Sequence, residues 1–252
     1  MPETPDELVH YAVADAVATI TLDSQHNRNA LSRQLVTELV ERLERADADP
    51  DVRVALVRQA GRVFCSGADL SEATAAGMEE GARRIVALQR LIVTMDKPVV
   101  TRVEGAVRAG GIGIVAASDL AISAEEATYA LTEVKLGLAA AIISLTVHAR
   151  MHPRAAALTT LGGEVFTGTD AAAYGLVTRA VPAGDLDDAV AALCAQVATG
   201  SLQGLRESKR ILNADLVRRI DALGDDMAAL SARLFASDEA RAAMTAFLDR
   251  KK

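Results

Sequence analysis

The order strand, strand, helix recurs about three times before residue 150, and no other feature of the sequence constrains the fold as much. Residues 52–58 are rich in β-branched side chains and predict a strand that is buried on both faces, and residues 98–103 predict another strand. A helix predicted over residues 82–95 ends before Pro98, because proline disfavours helical geometry in the residue that precedes it. Strands and helices in this order predict an α/β fold.

Elements on either side of these turns can be predicted as well. Residues 11–13 and 17–22 predict a hairpin, and Ser32 is the expected N-cap of a helix with leucine at every fourth position. The polar, alanine- and glutamate-rich residues 71–81 predict an irregular segment. From Asp185 onward nearly every stretch predicts helix, in pieces over residues 185–199, 202–221 and 224–249, so the composition changes from α/β to all-α near residue 200.

Composition excludes several classes of protein. Half of the 252 residues are hydrophobic, which allows a large core, while aromatic residues make up only 3% and the net charge is −7. Few stacking side chains and an acidic balance argue against a nucleic-acid partner. The acidic N-terminus is unlike a signal peptide, and no apolar run reaches the roughly 18 residues of a membrane span. We therefore expect a cytoplasmic protein without a membrane partner, with Cys65 and Cys194 as reduced, buried thiols.

Two glycine-containing segments can each present backbone N–H groups to a ligand. The turn Gly67-Ala68-Asp69 follows an apolar run, and Gly110 opens a short apolar helix predicted over residues 110–117. The first segment alone also fits a plain strand-to-helix turn in which aspartate caps the helix. The N-terminus of the second carries unpaired N–H groups and a partial positive charge. If both converge on one carbonyl oxygen, they would stabilise an oxyanion.

Glu133 is the candidate proton carrier. It follows the predicted strand 128–131 and is surrounded in the sequence by Val134, Leu136 and Leu138. Such a carboxylate is either turned to the surface or held in an apolar pocket that raises its pKa. The sequence alone leaves both alternatives open.

A dinucleotide-binding site is a rival interpretation of the second glycine segment. Gly111-x-Gly113-x-x-Ala116 fits the nucleotide fingerprint, with Glu133 about 20 residues downstream. This fingerprint normally follows the first strand of its domain, whereas about a hundred residues precede it here. It also leaves residues 64–70 unexplained, so a nicotinamide-dependent dehydrogenase is disfavoured.

Metal and serine-nucleophile chemistry are weakly supported. His148 and His152 have helical i,i+4 spacing, but Pro153 follows and a third ligand is lacking, so no metal site is expected. No Gly-x-Ser-x-Gly motif is present, and Ser66 has no evident histidine partner.

Taken together in their order along the chain, these segments resemble the enoyl-CoA hydratase/isomerase (crotonase) superfamily over nearly the full length. The matching stretches are Asn27-Arg28-Asn29-Ala30-Leu31, Phe64-Cys65-Ser66-Gly67-Ala68-Asp69-Leu70, Lys97-Pro98-Val99-Val100, Glu104-Gly105-Ala106 through Gly110-Gly111, Ser118-Asp119-Leu120-Ala121-Ile122-Ser123, Leu131-Thr132-Glu133-Val134-Lys135-Leu136-Gly137-Leu138 and Gly175-Leu176-Val177.

The resemblance implies a crotonase spiral of ββα turns over residues 1–199 and a helical trimerisation region over residues 200–252. It implies a homotrimer or a hexamer built from two trimers. The partner is an acyl-CoA thioester, and no separate cofactor is expected because coenzyme A is part of the substrate.

The resemblance also implies roles for individual residues. Ala68 and Gly110 would supply the two oxyanion-hole N–H groups, and Glu133 would be the catalytic acid/base. The substrate and its CoA moiety are expected to contact Arg28, Ala30, Ala68, Asp69, Leu70, Ser71, Gly110 and Gly113, with Phe247 and Lys251 reaching the CoA of a neighbouring subunit.

One departure from the family pattern concerns the catalytic carboxylates. Hydratases of the family usually carry two glutamates, and the position of the first is Gly113 in this chain. Residues 131–138, which contain the lone Glu133, and the run without glutamate that begins at Gly110 are most similar to the methylglutaconyl-CoA hydratase group. This similarity suggests hydration of a straight or branched enoyl-CoA. A Δ3-Δ2 enoyl-CoA isomerase and a non-catalytic acyl-CoA-binding protein of the same fold are the alternatives. Ala140 stands where relatives often have proline.

Overall fold

The computed structural model describes residues 6–72 and 75–249, and the side chains it describes exclude those of residues 70, 75–77 and 247–249. Within these ranges the chain forms ten strands and nine α-helices. The strands are β1 (Val9–Ala14), β2 (Val17–Leu22), β3 (Val54–Gln59), β4 (Val63–Cys65), β5 (Val99–Val103), β6 (Ala106–Arg108), β7 (Leu120–Ala124), β8 (Thr128–Ala130), β9 (Val165–Thr167) and β10 (Arg179–Val181). The helices are α1 (Arg33–Ala48), α2 (Ala75–Thr94), α3 (Gly110–Ala117), α4 (Ala141–Arg150), α5 (Pro153–Gly162), α6 (Gly168–Ala173), α7 (Leu186–Ala198), α8 (Leu202–Phe235) and α9 (Asp238–Asp249).

The strands form two sheets. The larger has the order β1-β2-β3-β5-β7-β10 and is parallel except for the β1–β2 hairpin. The smaller has the order β4-β6-β8-β9, with β4, β6 and β8 parallel and β9 antiparallel. All five residues of β5 are buried, as a strand covered on both faces requires.

Successive strands alternate between the two sheets. β3, β5 and β7 lie in the larger sheet, and β4, β6 and β8, which follow them directly, lie in the smaller one. Each pair leads into a helix, so β3-β4-α2, β5-β6-α3 and β7-β8-α4 are three equivalent turns. The predicted α/β fold and its repeated strand, strand, helix order are confirmed, as are the hairpin and the Ser32 cap, whose side chain accepts a hydrogen bond from the Leu35 N–H.

The prediction of an irregular segment over residues 71–81 is wrong from residue 75 onward, because α2 begins at Ala75. Arg83 pairs with Glu79 one helical turn earlier at 3.0 Å, and Arg84 pairs with Glu80 in the same way at 2.5 Å. Glutamate four residues before arginine supports a helix, so this spacing was a usable sequence signal.

Helix α8 is continuous, whereas the sequence predicts separate helices at 202–221 and 224–249. Gly224 lies inside α8 and faces α2, where a Cβ atom at this position would fall 2.9 Å from Val86 Cγ1. The glycine therefore permits a close helix–helix contact and does not end the helix. Beyond α8, the backbone N of Ala240 in α9 lies 3.1 Å from the Cβ position of Gly137. The C-terminal helices thus pack on the core and reach the segment that carries Glu133.

Across the part of the chain that the structure describes, every helix is too short or too polar to cross a membrane.

Candidate active site

Three parallel strands of the smaller sheet end at one edge, and each is followed by a segment that the sequence singled out. Ala68 lies just beyond the end of β4, Gly110 just beyond β6, and Glu133 just beyond β8. The carboxyl ends of neighbouring parallel strands point the same way, and ligands of α/β proteins bind in this position. The strand order therefore brings the two candidate N–H groups and the candidate carboxylate to the same edge.

The turn after β4 is held against the loop that precedes α1. Gly67 has a φ of 101°, which favours glycine, and its carbonyl accepts a hydrogen bond of 2.8 Å from the Leu31 N–H. Ala68 forms a parallel bridge with Leu31 and is exposed. Among the described residues the Ala68 N–H has no hydrogen-bond acceptor. It is free to bind a ligand.

The second donor lies at the start of α3. Gly110 is the first residue of this helix, so its N–H has no partner within the helix, and the described part of the chain offers no other acceptor. A Cβ at Gly110 would fall 2.5 Å from Leu31 Cδ1, so a larger residue would displace Leu31. The preceding residue, Ala109, has φ 45° and ψ −120°, a geometry that favours glycine.

The loop that carries Arg28 and Ala30 is fastened to the same turn. The Arg28 carbonyl accepts a hydrogen bond of 3.1 Å from the Ser66 N–H, while its side chain is exposed. Asn29 is 1% exposed and anchors the loop, since its amide donates to the Val63 carbonyl at 2.8 Å. Ala30 is buried. The Arg28 guanidinium is therefore exposed on a loop that is anchored by hydrogen bonds.

The Asp69 carboxylate forms its hydrogen bonds with neighbouring protein groups. It accepts hydrogen bonds from the Ser71 N–H (3.0 Å), the Ser71 hydroxyl (2.7 Å) and the Asn27 amide (3.0 Å). Burial opposes ionisation of Asp69, but these hydrogen bonds outweigh it and lower its pKa. The side chain shapes the short 3-10 turn Leu70–Glu72, which leaves the backbone of this segment for contacts with a ligand.

Glu133 is half-buried, and its Oε2 atom is shielded from solvent without any hydrogen-bond partner among the described residues. It begins a 3-10 turn, Glu133–Leu136, that Gly137 ends with a φ of 68°. Burial raises the pKa of the Glu133 carboxyl, and its own N–H opposes this weakly. Of the two alternatives that the sequence left open, the apolar pocket agrees with this geometry.

The position of the family's other glutamate is filled by neighbouring side chains. A Cβ at Gly113 would lie 2.6 Å from Ile143 Cγ2 and 3.3 Å from Gln89 Oε1. Gln89 is fully buried and satisfied, because it accepts from the Thr146 hydroxyl at 2.6 Å and donates to the Ile85 and Ile142 carbonyls. Ile143 of α4 therefore covers Gly113, and a second carboxylate would not fit without rearrangement.

A cavity of about 80 Å³ opens beside Ala68, between the turn after β4 and the helices α2, α4 and α8. Its lining is mainly apolar and includes three charged residues. It consists of Leu31, Val36, Ala68, Asp69, Glu72, Met78, Gly81, Ala82, Arg84, Ile85, Ile142, Ser231 and Phe235. Sequence patterns do not indicate the contributions of Ile142, Ser231 and Phe235, because only the tertiary packing of α4 and α8 brings them here.

Three further predictions from the sequence concern the C-terminal residues, a metal site and the histidines. The Phe247 side chain and all of Lys251 lie outside the described residues, although α9 includes the backbone of Phe247. Among the described residues no group of three or more His, Cys, Asp and Glu side chains could hold a metal ion. His148 is exposed, and its Nε2 lies 3.4 Å from the Thr160 hydroxyl.

Comparison with known proteins gives one consistent result. A family model described as enoyl-CoA hydratase/isomerase matches residues 12–252. A crystal structure of an enoyl-CoA hydratase from Mycobacterium avium is 44% identical, covers 98% of each chain and has a TM-score of 0.92, which confirms the crotonase-type fold. A Thermus thermophilus protein with the provisional name enoyl-CoA hydratase is 36% identical over 204 residues, 79% of this chain and 81% of the relative. The (E)-benzylidenesuccinyl-CoA hydratase of Thauera aromatica is 29% identical over 210 residues, 81% of this chain and 82% of the relative. The chain belongs to the enoyl-CoA hydratase/isomerase family.

Proposed function

We propose that this protein is a hydro-lyase that adds water across the α,β double bond of an enoyl-CoA, with Glu133 as its single acid/base. The observation that carries the proposal is the buried, unpartnered Oε2 of Glu133 at the same sheet edge as two unpaired N–H groups. Ala68 is exposed and Gly110 opens a helix, so both N–H groups can donate to a ligand, while the shielded Glu133 oxygen follows the neighbouring strand of the same sheet.

In the first step the Ala68 and Gly110 N–H groups donate to the thioester carbonyl oxygen. Hydrogen bonds to this oxygen withdraw electrons from the conjugated system, so the β-carbon becomes electrophilic and an enolate can form. A single donor of this kind typically contributes on the order of 3–4 kcal/mol to lowering the barrier.

In the second step ionised Glu133 takes a proton from a water molecule as its oxygen attacks the β-carbon. The electron pair of the double bond moves onto the thioester oxygen as an enolate. The protonated carboxyl group then returns the proton to the α-carbon, which regenerates the carbonyl and the carboxylate. A raised pKa suits both halves of this cycle, since the carboxyl must accept and then release one proton near neutral pH.

Neither Gly110 nor Glu133 lines the cavity beside Ala68, so we assign to it the part of an acyl chain distant from the double bond. Its lining includes two carboxylates, Asp69 and Glu72, and its one described cation, Arg84, is paired with Glu80. A free carboxylate on the acyl chain would meet repulsion and no unpaired cation among the described lining residues. The charges of the lining therefore favour short straight or branched hydrocarbon chains over the dicarboxylic methylglutaconyl group that the lone glutamate suggests.

An enoyl-CoA isomerase is the second candidate, because one carboxylate is sufficient to move a proton between two carbon atoms. The contact of Ile143 with Gly113 favours it, since an apolar side chain there gives no second anchor for water. A 3-enoyl-CoA substrate separates the two activities, because isomerisation creates the absorbance of a conjugated thioester, whereas a hydratase leaves this unconjugated substrate unchanged. A non-catalytic acyl-CoA-binding protein would bind these esters without turnover.

We extend the proposal to the CoA moiety and to assembly. The exposed Arg28 and the backbone of Ala68 to Ser71 would bind the CoA moiety, and Phe247 and Lys251 would reach it from a neighbouring subunit. Exposed apolar side chains on α5 and α8, namely Leu161, Ile211 and Leu212, support self-association into trimers or hexamers. Sedimentation equilibrium would report the number of subunits.

The central experiment compares Glu133→Gln with the wild type on crotonyl-CoA, branched enoyl-CoAs and 3-methylglutaconyl-CoA. We expect loss of hydration by roughly 10²–10⁴-fold on the preferred substrate, because that is the usual contribution of a positioned acid/base. Loss of absorbance of the conjugated thioester measures the rate. Glu126→Gln is the matched control, since Glu126 is exposed in the turn between β7 and β8. Activity of Glu133→Gln within threefold of wild type on every substrate would contradict the assignment.

A further inference from the structure

The buried thiol of Cys65 lies between the two turns that carry the candidate oxyanion donors. Cys65 is the last residue of β4 and is fully buried. Its sulfur accepts a hydrogen bond from the Gly67 N–H at 3.4 Å. On the other side is Gly111, where a Cβ atom would fall 2.6 Å from Cys65 Cβ and 3.0 Å from its sulfur.

Each of these glycines is the neighbour of a donor. Gly67 precedes Ala68, and Gly111 follows Gly110. Burial raises the pKa of the Cys65 thiol to about 12, and the nearby Gly67 and Gly111 backbone groups oppose this only in part. The group is therefore a neutral thiol at physiological pH and acts as an acceptor, not as a nucleophile.

The same two turns also contact each other directly. A Cβ at Gly67 would lie 3.0 Å from Ala109 Cβ, so the backbones approach as closely as glycine allows. The sulfur and this contact link the two turns, as does Leu31, which forms a bridge with Ala68 and packs against Gly110. A change in any of these links would alter how far apart the Ala68 and Gly110 N–H groups lie.

We propose that Cys65 is a positioning residue that sets the separation of the Ala68 and Gly110 N–H groups through its sulfur. The inference depends on the proposed function only in assuming that these two groups bind the thioester carbonyl. Its effect falls on polarisation of that carbonyl, because two donors act together only when both lie at hydrogen-bonding distance from one oxygen.

The test uses three variants. Cys65→Ser retains a hydrogen-bond acceptor, whereas Cys65→Val fills the space without one. Cys194→Val is the matched control, since Cys194 is a second buried free cysteine and lies in α7. If Cys65→Val fails to fold, Cys65→Ala replaces it.

The readout is the infrared stretching band of butyryl-CoA labelled with ¹³C at its carbonyl. This saturated thioester cannot be hydrated, so its band reports carbonyl polarisation without turnover. We expect the wild type and Cys194→Val to lower the band frequency equally. We expect Cys65→Ser to retain most of this shift and Cys65→Val to lose most of it.

Kinetics provide the second readout. Cys65→Val is expected to lower kcat by about 10–100-fold with a smaller change in KM, since a misplacement below 1 Å is enough for such a loss. Cys65→Ser is expected to recover most of that loss. A carbonyl shift and kcat for Cys65→Val that match those of Cys194→Val would overturn the inference.

The outcomes separate this inference from the proposed function. A wild type that shifts the carbonyl band but hydrates no enoyl-CoA disproves the hydratase proposal, and the band of the variants still decides the role of Cys65. A wild type that binds butyryl-CoA without any band shift overturns both.

Discussion

The edge of the smaller sheet and the N-terminal part of α8 both carry polar groups, but these groups lack partners at the sheet edge and have complete sets of partners in α8. At the sheet edge Glu133 Oε2 and the Ala68 and Gly110 N–H groups have no partner among the described residues. In α8, Lys209 is 4% exposed and uses all three of its donors, on the Ile92 carbonyl (2.7 Å), the Lys97 carbonyl (2.9 Å) and Asp119 (2.9 Å). Satisfied groups stabilise a fold, whereas unsatisfied ones are available to a ligand.

The region around Lys209 is a connected network. Asn213 donates to Asp119 at 2.9 Å and accepts from Arg150 at 3.2 Å, so α8 is joined to α4 and to the start of β7. Asp119 also accepts a hydrogen bond of 2.8 Å from the Val99 N–H. Desolvation lowers the pKa of Lys209, and Asp119 acts against this by stabilising the charged form. The network is complete without a ligand, so its role is to hold α8 on the core.

Replacement of Lys209 tests this contrast with the largest expected effect on stability. Lys209→Met removes the cation and leaves Asp119 with less compensation in a buried setting. Removal of one partner of a buried pair typically costs about 3–5 kcal/mol, and we expect a destabilisation of this size. Urea unfolding followed by circular dichroism measures it, and hydration activity per folded molecule should stay close to wild type.

The neighbouring Arg210 gives the control for this prediction. Arg210 is exposed and pairs with Glu207 at 3.0 Å, and exposed pairs of this kind contribute about 0–1 kcal/mol. Arg210→Met should therefore change stability little. Equal destabilisation by the two variants would show that the Lys209 network does not differ from an ordinary surface pair.

The same contrast explains which parts of the fold and of the site could be predicted from the sequence alone. Local patterns predicted the elements: Ser32 as a helix cap, Pro98 after the end of α2, and the short apolar helix α3 were all correct. The segments that carry Ala68, Gly110 and Glu133 could also be identified, because each follows a strand-like run. Their meeting at one edge follows from the parallel order of β4, β6 and β8, which hydrophobic periodicity does not specify.

Features that depend on contacts between distant residues were not predictable. Gly224 suggests a break in the helix until its contact with Val86 shows why glycine is needed inside α8. Whether Glu133 is buried depends on neighbouring elements, including α9, that the sequence around it does not reveal. Likewise, Ile143 and Cys65 are ordinary core residues in the sequence and gain their importance only from packing against Gly113 and Gly111.

The pH dependence of stability tests the unsatisfied region directly. Because burial raises the Glu133 pKa in the folded state, the folded protein binds a proton more tightly there than the unfolded chain does. The favourable contribution is complete below the unfolded pKa and is lost as the pH rises through the folded pKa. Glu133→Gln lacks this ionisation, so its stability should exceed that of the wild type increasingly as the pH rises.

Urea unfolding of the two proteins across pH 4 to 8 measures this difference. Glu126→Gln serves again as the control, and its difference from wild type should stay constant over the range. A constant difference for Glu133→Gln as well would mean that the Glu133 carboxyl titrates alike in the folded and unfolded states. The proposed proton transfer would then lose its main electrostatic support.

Backbone strain is the last difference between the two regions, and it predicts the smallest effect. Ala109, next to Gly110, has φ 45°, whereas none of the Lys209 network residues has a positive φ. Relief of such strain stabilises the folded state by about 1–3 kcal/mol, and the greater flexibility of glycine in the unfolded chain reduces this gain by about 0.5–1 kcal/mol. Ala109→Gly should therefore stabilise the protein by about 1 kcal/mol in urea unfolding. Ala183→Gly, at an exposed position with an ordinary φ, should destabilise it slightly. Activity of Ala109→Gly should remain within a few-fold of wild type, because the Cys65 sulfur and Leu31 still hold the Gly110 turn in place. A large loss of activity would instead show that the strained backbone of Ala109 itself orients the Gly110 N–H.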